Sequence, residues 1–131
     1  MTLVVDATVV VASIASAEGF KALGDGDLAA PALMWSEARS TLHLGLPKGT
    51  VNIEHAAVQH ERLETCSVRR VEEPKLGREA WRIAEDFGWG RTYDAEYVAL
   101  ARLLSCRLVT LDGPLRRGTE RLGFVVTPAE L

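Results

Sequence analysis

Leu3-Val4-Val5-Asp6 is a short apolar run that ends in an aspartate, and Leu108-Val109-Thr110-Leu111-Asp112 repeats the pattern near the end of the chain. Short runs rich in β-branched residues are typical of buried strands in a parallel sheet. In open α/β sheets, ligands bind in the crevice outside the carboxyl ends of the strands. Two strands that end there in carboxylates predict a cluster of negative charge. A bound cation would offset the repulsion between these carboxylates.

Working outward from these two runs, apolar segments of strand length alternate with segments of helical periodicity. We predict strands at residues 2–5, 28–30, 67–71, 107–111 and 123–126, and helices at residues 7–17, 18–23, 33–44, 51–63, 74–87 and 93–105. Gly45 is the expected stop of the third helix, followed by a loop over residues 46–49. The alternation predicts a single α/β domain over residues 1–131, a three-layer α/β/α sandwich with a mainly parallel sheet of about five strands.

The composition of the chain excludes some classes of protein and favours others. The net charge of −3 argues against a protein that holds nucleic acid by bulk positive charge, although a metal-dependent nuclease would remain possible. Cys66 and Cys106 are far apart and form no CxxC pattern, which favours a reducing compartment. The start of the chain lacks the basic residues of a signal peptide, and no segment is long and apolar enough to span a membrane. We therefore expect a cytoplasmic protein without membrane association.

Four acidic residues fall at element boundaries that could face one crevice. Asp6 and Asp112 end strands, Asp94 begins the clearest helix, and Glu37 lies near the apolar face of its helix. Hard oxygen ligands of this kind suit Mg²⁺ or Mn²⁺. The alternative is four unrelated surface acids, since the chain has 18 Asp and Glu residues.

Glu96 follows Asp94 by two residues and should point in a different direction from the helix. The three histidines lack ligand spacing, and neither a phosphate-binding loop nor a GxSxG motif is present.

Four motifs resemble those of the PIN-domain family, in the same order and spacing. They are Val4-Val5-Asp6-Ala7-Thr8-Val9-Val10, Pro31-Ala32-Leu33-Met34-Trp35-Ser36-Glu37, Tyr93-Asp94-Ala95-Glu96-Tyr97-Val98-Ala99-Leu100-Ala101 and Leu108-Val109-Thr110-Leu111-Asp112. The third motif is the most specific, whereas Val-Val-Asp-Ala alone is weak. The resemblance covers essentially the whole chain and is greatest to VapC-type toxins of toxin–antitoxin pairs.

The resemblance implies a Mg²⁺- or Mn²⁺-dependent endoribonuclease. Asp6, Glu37, Asp94 and Asp112 match the acidic metal-binding and catalytic positions. Thr8 and Thr110 match positions whose hydroxyls support the acids, and Glu96 is a possible extra ligand. The implied partners are an RNA substrate, a second copy of the chain in a homodimer, and a small antitoxin, through which alone the protein would meet DNA.

Two alternatives remain open from the sequence. One is a non-catalytic interaction module that keeps the acids, and the other is a metal-dependent phosphodiesterase or DNA nuclease with the same site chemistry. Arg91, Arg116 and Arg117 are candidate contacts to substrate phosphates, since Arg91 precedes Asp94 and the other two closely follow Asp112. The alternative for these three is solvated surface arginines. By the same resemblance, Arg116 stands near a place where some relatives carry a further Asp or Asn, so a fifth acid is absent there and the number of metals stays open.

Overall fold

Five short strands, all parallel to their neighbours, form one sheet. The structure is a computed structural model that describes residues 1–131. The strands are β1 (Thr2–Val5), β2 (Asp27–Ala30), β3 (Arg69–Arg70), β4 (Arg107–Val109) and β5 (Val125–Val126). Their order across the sheet is β3-β2-β1-β4-β5. The predicted α/β fold with a parallel sheet of about five strands is confirmed.

The strand order places a change of direction between β1 and β4. From β1 the chain continues to β2 on one side, and it returns later to build β4 on the other side. Val4 pairs with Leu108, and Val5 pairs with Val109. The carboxyl ends of the two strands that carry the acidic motifs are therefore adjacent. A crevice at such a switch point is the usual place for a ligand in an open α/β sheet.

Six α-helices flank the sheet. They are α1 (Ala7–Ala15), α2 (Leu33–Lys48), α3 (Ile53–Glu64), α4 (Leu76–Phe87), α5 (Tyr93–Leu103) and α6 (Gly113–Gly118). The helices α1, α2 and α3 pack against one another, α4 packs against α5, and α5 also contacts β1 and β4. None of the helices combines the length and the apolar character required to cross a bilayer.

The two central strands carry the most deeply buried part of the core. Val4, Val5, Leu108 and Val109 are fully buried, because helices cover both faces of the sheet. Burying a Val or Leu side chain contributes roughly 1.5–3 kcal/mol to the free energy of unfolding. The strands that position the acidic residues are thus fixed by the core itself.

The helix α2 is longer than its sequence predicts. It does not stop at Gly45 but continues through Pro47 to Lys48, so the loop expected at residues 46–49 is wrong. A Cβ at Gly45 would lie 2.6 Å from Cγ1 of Val51, and glycine is therefore needed there for close packing of the following chain. The helix ends at Gly49, whose φ of 73° is the left-handed conformation that favours glycine.

Other boundaries differ by a few residues or by element type. The second helix, expected at residues 18–23, is only a 3₁₀ turn at Lys21–Leu23. The third, fourth and fifth strands are shorter than predicted. The helix α6 was not expected, although Asp112 caps its start and Pro114 lies in its first turn, both common signals of a helix N-terminus.

Candidate metal centre

Asp6 lies directly after β1 and is almost completely buried, at 4% exposed. Its backbone is extended, and its Oδ1 accepts a hydrogen bond from the Val9 N–H at 3.2 Å, which caps the start of α1. The hydroxyl of Thr8 donates to the same oxygen at 2.5 Å, and the hydroxyl of Thr110 donates to Oδ2 at 2.5 Å. Asp6 is therefore held by donors at both oxygens, so its orientation is fixed.

Each threonine hydroxyl also accepts a backbone hydrogen bond from the segment after β4. The Leu111 N–H donates to Thr8 at 3.0 Å, and the Asp112 N–H donates to Thr110 at 3.0 Å. The protons of both hydroxyls are thus directed toward Asp6. The structure thus brings Thr8 and Thr110 into hydrogen-bond contact with Asp6.

The pKa of the Asp6 carboxyl is raised above its usual value. Burial is the largest cause, the hydrogen bonds from Thr110 and Thr8 oppose it, and the negative charge of Asp112 adds to the rise. Both hydroxyls therefore stabilise a carboxylate that burial alone would disfavour.

Asp112 begins α6 as Asp6 begins α1. Its Oδ1 accepts a hydrogen bond from the Leu115 N–H at 3.0 Å, and its other oxygen accepts no hydrogen bond. The residue is half-buried. Helix capping therefore fixes the side chain and leaves one oxygen free for a ligand.

Asp94 lies in the first turn of α5 and accepts no hydrogen bond from the protein. The residue is exposed, yet its carboxyl is desolvated enough to raise its pKa. The negative charges of Asp112, Glu37 and Asp6 raise that pKa further. Asp94 therefore lies within electrostatic reach of the other three sequence-predicted acids.

Glu37 is half-buried on α2, and the hydroxyl of Tyr97 donates a hydrogen bond to its Oε1. Tyr97 is 1% exposed, and burial followed by the hydrogen bond to Glu37 raises its pKa far above the usual value. The sequence pattern placed Tyr97 only on the apolar face of its helix, so this contact was missed. The signal was its position three residues after Asp94, which puts both side chains on one side of α5.

Glu96 is half-buried, and its pKa is raised by burial and then by the charge of Glu37. It therefore lies at the side of the site where Glu37 stands. Glu96 lines a surface cavity with Val71 and Pro74, whereas Asp94 does not line it. The two acids of α5 thus face different parts of the crevice.

No basic side chain neutralises the four acids. The salt bridges of the chain all involve other carboxylates, namely those of Asp27, Glu64, Glu79 and Glu130. Four carboxylates without a basic partner are the oxygen donors that Mg²⁺ and Mn²⁺ prefer, so the residues fit a hard divalent cation. No three His, Cys, Asp or Glu side chains stand as a preassembled ligand set.

The three candidate phosphate contacts differ in their surroundings. Arg116 forms a two-pronged ion pair with Glu130, with Nε–Oε1 and Nη2–Oε2 distances of 2.9 Å. This pairing lowers the pKa of Glu130 to about 2. Arg91 and Arg117 are exposed and form no ion pair, so their guanidinium groups are available to an anionic ligand.

Comparison with known proteins shows which family has this fold. A family model described as PIN domain matches residues 3–120. The crystal structure of PAE2754 from Pyrobaculum aerophilum is similar, with a TM-score of 0.78 and 25% sequence identity over 99% of this chain and 85% of that chain. The structure of FitAB bound to an IR36 DNA fragment shares the fold, with a TM-score of 0.63 and 19% identity over 98% of this chain and 96% of that chain. No curated protein matches the chain in sequence.

Proposed function

Because the chain belongs to the PIN domain family, whose members are typically metal-dependent nucleases, we propose that it is a Mg²⁺- or Mn²⁺-dependent endoribonuclease. The observation that carries the proposal is the group of four carboxylates around Asp94, drawn from four separate elements and lacking any basic partner. A structural cluster of acids would be expected to include a Lys or Arg to reduce the repulsion.

The surroundings of each acidic residue suggest its role in holding the metal or positioning water. Asp6, Asp94 and Asp112 would hold one cation, and Glu37 would hold a second cation or position the attacking water. When bound, the cation would supply a water of lowered pKa and would stabilise the negative charge that develops on the phosphoryl oxygens. Asp6 acts from a fixed position, because both its oxygens already accept hydrogen bonds. Asp94 is the most available ligand, because neither of its oxygens accepts one.

Removal of the metal should abolish cleavage. We expect the purified protein to cut a labelled single-stranded RNA with Mg²⁺ or Mn²⁺, to stop when a chelator is added, and to resume when the metal is restored. Cleavage that persists in the chelator would contradict the proposed mechanism. A single-stranded DNA of the same sequence serves as the control, since a chain that cuts only DNA would be a different nuclease.

Arg117 and Arg91 are the better candidates for phosphate contacts, because Arg116 is held by Glu130. Each phosphate contact to a single strand changes the slope of log binding constant against log salt concentration by about 0.7. We expect Arg117→Ala to reduce the slope for RNA binding by about this amount. Arg107→Ala, at the opposite end of β4, is the control and should leave the slope unchanged. An unchanged slope for Arg117→Ala would remove it from the contact set.

The remaining parts of the proposal rest on the sequence resemblance to VapC-type toxins. They are a small antitoxin that covers the site, a homodimer, and action on cytoplasmic RNA. An apolar groove lies between α2 and α3, and the antitoxin or the second copy of the chain could cover it. Its lining includes Leu42, Leu46, Ile53 and Ala56. Ile53 at its edge is 72% exposed, which is unusual for so large an apolar side chain.

A further inference from the structure

The buried hydroxyl of Tyr97 joins two helices at the edge of the acidic site. Tyr97 is 1% exposed on α5, and its hydroxyl donates to Oε1 of Glu37 on α2, sixty positions earlier in the chain. The negative charge of Asp6 also raises the pKa of this phenol, and the backbone of Ala7 lowers it. The hydroxyl is thus bonded to the side chain of Glu37 and lies close enough to Asp6 to be affected by its charge.

We infer that Tyr97 is a positioning residue that fixes Glu37 and presents its second carboxylate oxygen to the metal. This inference rests on the proposed function and, of the two roles given there to Glu37, takes that of a metal ligand. The hydroxyl would occupy Oε1 and leave Oε2 free, so that Glu37 enters the ligand set in one orientation.

Glu37 needs such a donor more than Asp6 and Asp112 do. Those two aspartates precede helices, and free backbone N–H groups hold them in place. Glu37 is the fifth residue of α2, where the backbone N–H groups bond within the helix. The only hydrogen bond that the Glu37 carboxylate accepts in the structure comes from the hydroxyl of Tyr97.

Electrostatics would otherwise turn Glu37 away from the site. The charges of Asp94 and Glu96 interact unfavourably with it, and it has no salt bridge. A glutamate side chain has three rotatable bonds, so repulsion alone would favour rotamers that point into water. The hydrogen bond from Tyr97 opposes this movement, and the phenol stays protonated at neutral pH.

The test is Mn²⁺ binding in the absence of RNA, measured by titration calorimetry. Tyr97→Phe removes the hydroxyl and keeps the ring, so the variant should fold, and circular dichroism checks this. Loss of a residue that orients a ligand typically weakens metal affinity 10–100-fold. We expect about 10-fold weaker Mn²⁺ binding for Tyr97→Phe. Tyr93→Phe is the matched control, because Tyr93 is 52% exposed on the same helix and forms no hydrogen bond through its hydroxyl.

A double variant distinguishes positioning from a general structural role. If Tyr97 acts through Glu37, adding Tyr97→Phe to Glu37→Gln should weaken Mn²⁺ binding no further than Glu37→Gln alone. A further loss in the double variant would overturn the inference, as would parent-like affinity in Tyr97→Phe. In both cases the parent still binds Mn²⁺ and the proposed function stands. A parent that binds neither Mn²⁺ nor Mg²⁺ would instead overturn the proposed function and the inference together.

Discussion

Asp94→Asn is expected to lower the rate of RNA cleavage by roughly 10³-fold, because a catalytic cation supplies several kcal/mol of transition-state stabilisation. The change removes one negative charge and keeps the size of the side chain. It breaks no hydrogen bond, since Asp94 accepts none in the structure. The measurement is the initial rate of cleavage of a labelled RNA at saturating Mg²⁺.

The stability of the same variant separates a catalytic role from a structural one. The pKa of Asp94 is raised by desolvation and by the charges of Asp112 and Glu37, so its ionised form destabilises the metal-free protein. For an acid whose folded pKa is raised, stability is present at low pH and is lost as the pH rises through that pKa. The melting temperature of metal-free Asp94→Asn at neutral pH should therefore equal or exceed that of the parent.

Asp25→Asn is the matched control for Asp94→Asn, because Asp25 is exposed in the turn before β2. This turn lies at the amino ends of the parallel strands, and the candidate site lies at their carboxyl ends. It should cleave RNA at the parental rate. Parental cleavage by Asp94→Asn would contradict the assignment of Asp94 as a metal ligand. Lost cleavage accompanied by a lower melting temperature would indicate a structural defect instead.

Thr110→Val should lower the free energy of unfolding by about 2 kcal/mol, since an unsatisfied buried polar group costs roughly 1–3 kcal/mol. Thr110 is fully buried, and valine has nearly the same shape, so no cavity forms. Asp6 would lose the donor at Oδ2, and the Asp112 N–H would lose its acceptor. Urea unfolding without metal measures the effect.

The loss in Thr110→Val should depend on pH. The Thr110 hydroxyl stabilises the ionised form of Asp6, so it lowers a pKa that burial raises. Stability from this bond is present while Asp6 is ionised and is lost as the pH falls through its pKa. The difference between variant and parent should therefore narrow in acid. Thr41→Val, at an exposed position on α2, is the control and should change stability by less than about 0.5 kcal/mol. A similarly small change in Thr110→Val would show that the hydroxyl does not support Asp6.

Much of the fold follows from local pattern. The apolar runs before Asp6 and Asp112 predict buried parallel strands, and both strands lie at the centre of the sheet. The extent of α2 could not be predicted, because Gly45 and Pro47 are ordinary signals of a helix end. The close approach of Val51, which follows the end of the helix, explains why a glycine lies inside it.

Local sequence pattern also predicts part of the candidate site. Its aspartates lie at ends of strands and helices, which the chain order and the parallel sheet bring to one edge. The contacts of Tyr97 with Glu37 and of Arg116 with Glu130 could not be predicted, because each joins segments whose separation depends on packing. A buried tyrosine on an apolar helix face looks like core until its hydroxyl has a partner.

The capping roles of Asp6 and Asp112 affect how related sequences should be interpreted. Each of these aspartates begins a helix, so a descendant that lost catalysis would still be under selection to keep Asp, or the equally good cap Asn, at both positions. Their retention in a relative is therefore poor evidence that the relative is an active enzyme. Asp94 accepts no capping hydrogen bond, so an inactive lineage could replace it at little cost in stability. That position is the one to inspect when active members are to be told from inactive ones.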